Sequence, residues 1–433
     1  MHAQLPVQRW SPVFALTEGR EPVNPRPLAT AAAFRDQIPQ TRGFIAYSEG
    51  VNDDWNVAQW LALSWNPSET PSDTALRYAR LFIGDDRFAA IPEALERNWH
   101  GDPADNAAIP ATLRQIDALH PAPWADWRID LYRYRAVYDA LDAQRWKRAR
   151  TAQAKAGRAL RSASMLGAET AAQQALTAMS PVATPAEAQL YTRLETLAAR
   201  LWQHARMQLS VTRYGASNWE RGANLDRAMI DLTDKAALAP RIKAALALPA
   251  ENKRAAALVR LGDRPDARDR ALYDDLGNAG HEPHLVTGPG EGTDPQGRQG
   301  AIDGVADHLP QDGWALSELS YAEALYEQPL HLRYTQLPKG QSWCLRYTWA
   351  GEDYWRPLQI SAGGEVIVPF HNRKNNPAFE QTAIPAETVH DGTLDVTFVS
   401  PPGAGGSGRG RQIAETWLVP AAPAQCSGEW TGP

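Results

Sequence analysis

Cysteine is scarce in this chain of 433 residues, which contains only Cys344 and Cys426. Two cysteines cannot build a disulfide framework or a zinc site that depends on several thiolates. They can form one bridge or remain two free thiols, and the sequence leaves both alternatives open. Long apolar runs are also lacking. No stretch approaches the roughly 20 apolar residues that cross a membrane, so we expect no membrane partner.

Excess positive charge is absent as well. The chain has 50 acidic and 44 basic residues and a net charge of −6, whereas phosphate binding requires a basic surface. We therefore expect no nucleic-acid partner. Residues 1–4 also lack the basic and apolar regions that mark a secretory signal peptide.

Metal-ligating side chains do not cluster in the sequence. His281 and His284 form the one close histidine pair, with Asp274 and Asp275 nearby. This pair lies in a predicted loop, whereas a metal site needs three or four converging ligands on a rigid element. Walker, dinucleotide-binding and Ser-His-Asp motifs are absent too. We therefore predict neither a metal nor a cofactor.

Aromatic residues with a polar group are abundant. The chain has 16 Trp and 13 Tyr but only 8 Phe, and Trp and Tyr combine a flat apolar face with a hydrogen-bonding group. Sugar-binding proteins use such faces, and so do large cores. Tyr354 and Trp355 are the better candidates for an exposed sugar platform, whereas Trp343 and Trp349 alternate along a strand and are expected in a core.

The pattern of residues 1–65 predicts two strand–helix units. Short apolar runs at 13–16 and 43–47 are expected to be buried strands, and residues 28–37 and 55–65 are expected to be helices. Strand–helix repeats at this spacing build parallel sheets and (β/α) barrels. We therefore expect residues 1–65 to form two βα units of a parallel α/β sheet or barrel.

The rest of the chain changes from helix to strand. Residues 66–270 are predicted to form an all-α domain, and residues 271–325 an irregular linker rich in Gly, Pro and Asp. Residues 326–420 carry short alternating strands typical of an antiparallel β-sandwich, and residues 421–433 a loose tail. The predicted fold class is therefore multidomain α+β.

Two glutamates follow the predicted strands of the first region. Glu18 comes after the first strand and Glu49 after the second, where barrels place catalytic groups. Glycoside hydrolysis commonly uses two carboxyl groups in this way. Alternatively, Glu18 pairs with Arg20 or Arg26, and Glu49 caps the next helix.

Three polar residues follow Glu49 closely, namely Asp53, Asp54 and Asn56. They can bind sugar hydroxyls or a cation, or they can start the helix predicted from residue 55.

Several segments resemble parts of large bacterial glycosidase-like proteins, which have a sugar-cleaving barrel, a helical region and a terminal β-sandwich. The segments are 15–27 (ALTEGREPVNPRP), 43–56 (GFIAYSEGVNDDWN), 273–277 (YDDLG), 347–352 (YTWAGE) and 408–418 (GRGRQIAETWL). More distantly, residues 49–51 (EGV) and 78–84 (YARLFIG) are similar to α-N-acetylglucosaminidases.

The resemblance implies specific roles for residues of the first region. Glu49 would be the nucleophile of a retaining mechanism, although Asn56 lies two residues beyond that family's asparagine. The partner acid of that family comes from an earlier strand, which we expect to be missing here, and residues 1–65 would be the last two βα units of a TIM-type barrel. From their positions in the sequence, and not from the resemblance, we expect the sugar site to be lined by Glu18, Arg20, Tyr47, Asp53, Asp54 and Asn56, with Tyr354 and Trp355 as surface candidates on the sandwich. The family also implies a secreted or periplasmic location.

A complete barrel needs about 250 residues, but only some 60 precede the predicted helical domain. We therefore expect the C-terminal portion of a glycoside hydrolase, with an oligo- or polysaccharide and a missing N-terminal barrel portion as its partners. Alone, such a chain would have weak activity or none. The alternative is a non-catalytic carbohydrate-binding or accessory module.

Overall fold

The computed structural model describes most of the chain. The described residues are 11–19, 22–45, 47–48, 50–219, 222–263, 272–290, 293–306, 308–325, 327–351, 356–403 and 411–426. They divide into two compact units. Unit 1 comprises Met1–Lys147, Val182–Ile230 and Glu291–Gln296, and unit 2 comprises Arg148–Pro181, Asp231–Gly290 and Gly297–Pro433. The boundaries of these units differ from the predicted domain boundaries.

Helices dominate the first 263 residues. In chain order they are α1 (Pro12–Thr17), α2 (Pro27–Gln37), α3 (Asp54–Trp65), α4 (Pro71–Tyr78), α5 (Ile91–Asn98), α6 (Ala108–Asp117), α7 (Asp126–Arg161), α8 (Ala163–Leu166), α9 (Ala168–Ala178), α10 (Pro185–Ala205), α11 (Val211–Tyr214), α12 (Lys235–Leu246), α13 (Glu251–Asp263) and, later, α14 (Leu316–Leu319).

Local sequence explains where several of these helices begin. Thr184 and Glu187 form a capping box at the start of α10, in which each side chain accepts a hydrogen bond from the other residue's backbone N–H. Thr70 caps α4 in front of Pro71. The described residues between 66 and 263 are mostly helical, as the sequence pattern predicts, and they belong to both units. Residues 223–234 form a short 3₁₀ turn and loops before α12.

The strand predicted at residues 13–16 is wrong, because these residues belong to helix α1. Ser11 caps the helix and Pro12 occupies its first turn, which are both helix-start signals. A run of four apolar residues is compatible with a buried strand or a buried helix. It is too short to show whether apolar residues recur with the period of 2 or of 3.6 residues. Phe14 stacks on Trp99 in the core of unit 1, with ring centroids 5.1 Å apart.

The second predicted strand is not formed by the residues that are described there. Gly43, Phe44, Ile45 and Tyr47 lie outside any strand, and Ile45 is 98% exposed. The helices predicted at 28–37 and 55–65 are confirmed as α2 and α3. Among the described residues of 1–65, therefore, the helices of the expected βα units are present without the strands.

The described residues of unit 2 include ten strands in two antiparallel sheets. The strands are β1 (Tyr273–Asp275), β2 (Ala301–Val305), β3 (Ser320–Ala324), β4 (Leu330–Tyr334), β5 (Trp343–Trp349), β6 (Leu358–Ala362), β7 (Glu365–His371), β8 (Ala378–Ile384), β9 (Leu394–Val399) and β10 (Ile413–Pro420). One sheet has the order β2-β3-β10-β5-β8, with β1 also paired to β10, and the other has the order β4-β9-β6-β7.

The two sheets contribute to one hydrophobic core. Alternate residues of facing strands are fully buried, as in the Leu-His-Leu-Arg-Tyr pattern of β4. The ring of Tyr347 in β5 meets the ring of Phe398 in β9 edge to face, with centroids 5.8 Å apart. Together with the helices, these sheets confirm the α+β fold class.

The predicted linker at 271–325 is partly wrong, because it contains β1, β2 and β3. Their sequences are short, and charged or glycine residues interrupt them, so no period of two is visible. Their strand conformation depends on hydrogen bonding to other strands and not on the local sequence. Tyr273–Asp275, for example, pairs with residues 415–417 of β10.

A disulfide joins Cys344 of β5 to Cys426. It decides between the two alternatives that the sequence left open. The described part of the predicted tail, residues 421–426, is therefore covalently held to the sheet. Within the described residues, no helix is long and apolar enough to cross a membrane.

Candidate functional site

Four of the predicted site residues lie outside the described part of the chain. They are Arg20, Glu49, Tyr354 and Trp355. The residues of the predicted site that are described are Glu18, Tyr47, Asp53, Asp54 and Asn56, and all of them belong to unit 1.

Glu18 lies directly after α1 and is enclosed by protein, with only 1% of the residue exposed. Its Oε1 lies 3.6 Å from Nε of Arg135, and Nδ2 of Asn224 donates a hydrogen bond of 3.3 Å to its Oε2. Oε1 accepts no hydrogen bond from the described residues. Of the alternatives open from the sequence, an ion pair is thus found, but its partner is Arg135 of α7.

Burial raises the pKa of Glu18 well above its usual value. The charged carboxylate loses its hydration, the nearby Asp139 and Asp142 add repulsion, and only Arg135 opposes these effects. Glu18 therefore retains its proton to a higher pH than an exposed glutamate.

Helix α7 supplies the charges around Glu18. Arg135, Asp139 and Asp142 are spaced at i, i+4 and i+7 and hence lie on one face of the helix. Asp139 accepts hydrogen bonds from Nε of Arg135 (2.8 Å) and from Nε1 of Trp99 (3.0 Å). Asp142 accepts one from the hydroxyl of Thr17, and burial raises its pKa to about 7. We refer to Glu18, Arg135, Asp139 and Asp142 as the buried charge cluster.

The sequence analysis missed the three α7 members of this cluster. A signal was available, because these charged residues recur at helical spacing inside a segment whose neighbours Tyr134, Val137 and Tyr138 are apolar or aromatic. Charged residues on the buried face of a helix indicate an internal polar network.

Asn56 is connected to the buried charge cluster through Asn24. Nδ2 of Asn56 donates to the backbone oxygen of Asn24 (2.9 Å), and Nη1 of Arg135 donates to Oδ1 of Asn24 (2.9 Å). Oδ1 of Asn56 also accepts from the backbone N–H of Arg26 (3.1 Å). The structure therefore brings Glu18 and Asn56 into one network, in which Asn56 fixes the extended segment around Asn24.

Asp54 belongs to a second group of polar side chains. It accepts hydrogen bonds from the hydroxyl of Tyr78 and from Nε of Arg128 (3.2 Å), and Tyr132 donates to the Tyr78 hydroxyl (2.8 Å). Asp53, the residue before α3, is buried. The contacts of Asp54 hold α3 against α4 and α7. Asp54 is also the first residue of α3, which agrees with the interpretation that it starts this helix.

Tyr47 is the exposed member of the predicted site. It is 60% exposed, in a segment where Phe44 packs on Trp60 with ring centroids 5.2 Å apart. More than half of the surface of Tyr47 is in contact with solvent, whereas Glu18, Asp53 and Asn56 are buried.

His284 of the close histidine pair contacts the buried Asp274. Nδ1 of His284 lies 3.0 Å from Oδ2 of Asp274, and the hydroxyl of Thr416 donates to the same oxygen (3.2 Å). Over the part of the chain that the structure describes, no group of three or more His, Cys, Asp or Glu side chains is placed to hold a metal ion.

Comparison with known proteins yields a distant likeness to a solved structure. Neither a family model nor a curated protein sequence matches this chain. A solved structure described as a novel family GH115 4-O-methyl-α-glucuronidase, BtGH115A, with specificity for decorated arabinogalactans, is 13% identical with a TM-score of 0.23. The match covers 85% of this chain and 44% of that chain. At this identity and TM-score, the likeness assigns neither an activity nor a substrate.

Proposed function

We propose that this chain is a carbohydrate-active protein whose own residues bind a saccharide rather than hydrolyse it. The observation that carries this proposal is the enclosure of Glu18, the predicted second carboxyl group, within the buried charge cluster. The resemblance of residues 15–27 and 43–56 to glycosidase-like proteins supports the sugar as ligand. The exposed ring of Tyr47 supports binding at the surface.

Hydrolysis makes a demand that Glu18 does not meet. Two carboxyl groups must flank the scissile bond about 5–10 Å apart, so both must reach the sugar. The Glu18 carboxyl group instead points to Arg135 and Asn224 inside unit 1. A saccharide would have to displace Arg135, which also binds Asp139 and Asn24.

A second candidate function is a two-carboxylate glycoside hydrolase of the retaining type. One observation favours it: the raised pKa of Glu18 gives the protonated carboxyl group that a general acid needs. In this candidate Glu49 is the nucleophile. Arg20, Tyr47, Asp53, Asp54 and Asn56 would then surround the sugar.

A glycan array combined with an activity assay distinguishes the two functions. We expect the purified chain to bind at least one glycan class and to release no product from aryl glycosides. Binding should survive Glu49→Gln, because a binding protein does not need the nucleophile, and should weaken in Tyr47→Ala. Turnover that Glu49→Gln abolishes would favour the hydrolase, and an array without any bound glycan would contradict both candidates.

A separate proposal concerns the second predicted sugar surface, at Tyr354 and Trp355. If these rings form a platform on the sandwich, Trp355→Ala should reduce glycan binding, whereas Trp349→Phe, a change in the buried core, should alter stability instead. The same array measures both variants, and unchanged binding in Trp355→Ala would contradict a platform there.

A further inference from the structure

A cavity of about 730 Å³ opens on unit 1 and is formed by the end of α3, the connection between α3 and α4, and Arg77 near the end of α4. It is lined by Ala62, Trp65, Asn66, Glu69 and Arg77, and none of these residues belongs to the predicted site. Its volume falls within the range of about 300–1,000 Å³ that is usual for small-molecule sites.

Trp65 presents a flat apolar surface at this cavity. It is the last residue of α3 and is 93% exposed, so both faces of its indole ring are in contact with solvent. Exposing a large aromatic ring this completely is unfavourable, because its apolar area remains in water. Such a ring gains stability when a ligand with an apolar face covers it.

Glu69 provides an oriented hydrogen-bond acceptor beside the ring. Its side chain is only 5% exposed, and its Oε1 accepts from the hydroxyl of Thr74 (3.1 Å) and from the guanidinium group of Arg77. Arg35 holds the backbone in place by donating to the Glu69 carbonyl oxygen (2.7 Å). No hydrogen bond from the described residues reaches Oε2, the other carboxylate oxygen of this cavity-lining residue.

Arg77 provides donors next to that acceptor. Its side chain is 57% exposed while one end of its guanidinium group binds Glu69. A guanidinium group has five N–H donors in a fixed plane, so donors remain for a ligand. The cavity thus combines an aromatic face, a carboxylate acceptor and planar donors.

We propose that this cavity binds a neutral pyranose ring, and this inference rests on the proposed carbohydrate-binding function. The apolar face of the sugar stacks on Trp65, one hydroxyl donates to Oε2 of Glu69, and a neighbouring hydroxyl accepts from Arg77. Among the five lining residues, Glu69 and Arg77 pair with each other, so no net positive charge remains for the carboxylate of a uronic acid. The observations therefore favour a neutral sugar.

The test measures binding of methyl β-D-glucopyranoside, methyl β-D-galactopyranoside, methyl α-D-mannopyranoside and methyl β-D-glucuronide by saturation-transfer NMR on the whole chain. We expect saturation of at least one neutral glycoside and a loss of about tenfold or more in affinity for Trp65→Ala and Arg77→Ala. Tenfold corresponds to about 1.4 kcal/mol. Trp124→Ala is the matched control, because Trp124 is also an exposed tryptophan of unit 1.

The possible outcomes separate this inference from the proposed function. Glycan binding by the whole chain that is equal in the wild type, Trp65→Ala and Arg77→Ala overturns the cavity site and leaves the function intact. An equal loss in Trp124→Ala, or stronger binding of the glucuronide than of every neutral glycoside, also overturns it. A chain that binds no glycan on the array and no glycoside here overturns both. Thermal unfolding of each variant shows that it is folded.

Discussion

Asp142 shows how a single buried residue links protonation to stability in unit 1. Its pKa is raised to about 7, chiefly by burial, although Arg145 and the Thr17 hydroxyl favour the charged form. In the unfolded chain an aspartate titrates near 3.9. Between these two values the folded state binds the extra proton, so the free energy of unfolding falls as the pH rises from about 4 to about 7.

Asp142→Asn should remove this pH dependence. Each unit of pKa difference corresponds to about 1.4 kcal/mol, so we expect the variant to gain about 2 kcal/mol or more over the wild type between pH 4.5 and pH 7.5. The asparagine keeps an oxygen that can accept from Thr17. Urea unfolding across this pH range measures the difference, with the exposed Glu93→Gln as control. A constant difference between variant and wild type at all pH values would contradict it.

The sequence identified Glu18 as a special carboxyl group but not its surroundings. Its position in the ALTEGREPVNPRP segment was readable, whereas its burial depends on Arg135, Asp139 and Asn224, which are more than 110 residues away. Contacts of this kind come from packing of α7 in the core. A strand–helix pattern in the sequence carries no information about contacts between distant residues. The strand that it predicted at residues 13–16 is also wrong, because these residues belong to α1.

At the scale of elements, periodicity was informative where the element is long or alternates cleanly. Strands β4 to β10 all lie in the segment 326–420 that the sequence predicts as strands, where β4, β6 and β9 bury alternate residues. Strands β1, β2 and β3 lie in the predicted linker and were missed. The pairing of β2 with β3, and of β1 and β3 with β10, stabilises sequences that have little strand propensity of their own.

The disulfide is an element-scale feature with a measurable effect. It closes a loop with a sequence separation of 82 residues between β5 and the segment after β10. Constraining a loop of this length in the unfolded chain stabilises a protein by up to about 4 kcal/mol. We therefore expect Cys426→Ser to lower the denaturant midpoint of unit 2.

Reducing conditions provide the control for that variant. With a thiol reductant present, wild type and Cys426→Ser should unfold at nearly the same denaturant concentration, since neither has the bridge. Alkylation of the unreduced native protein should label no cysteine. Two labelled thiols, or a midpoint that reduction does not change, would contradict the prediction.

The whole molecule should be more stable in mildly acidic solution than in alkaline solution. Besides Asp142 in unit 1, burial and the repulsion of Glu415 raise the pKa of Asp275 in unit 2 to about 7. The hydrogen bond to Glu380 raises the pKa of His371, whose stabilising charge is lost as the pH rises. Burial lowers the pKa of His100, which has the opposite effect below about pH 6.5.

Two buried aspartates and His371 outweigh His100, so the free energy of unfolding should decrease from about pH 5 to about pH 8. Calorimetry at constant ionic strength measures the unfolding temperature over this range. The double variant Asp142→Asn/Asp275→Asn should show a flatter profile. An unfolding temperature that rises steadily to pH 8 would be inconsistent with these pKa values.

The order of strands in the six-stranded sheet has a consequence for synthesis on the ribosome. Strand β10 lies between β3 and β5 and also pairs with β1, yet it follows the other nine described strands in the chain. The β2–β3 hairpin and the β5–β8 pair can form earlier, but they remain separate until residues 413–420 arrive. Until then their unpaired edges are exposed to other chains, so this sheet is open to aggregation for longer than the four-stranded sheet, whose strands all precede residue 400.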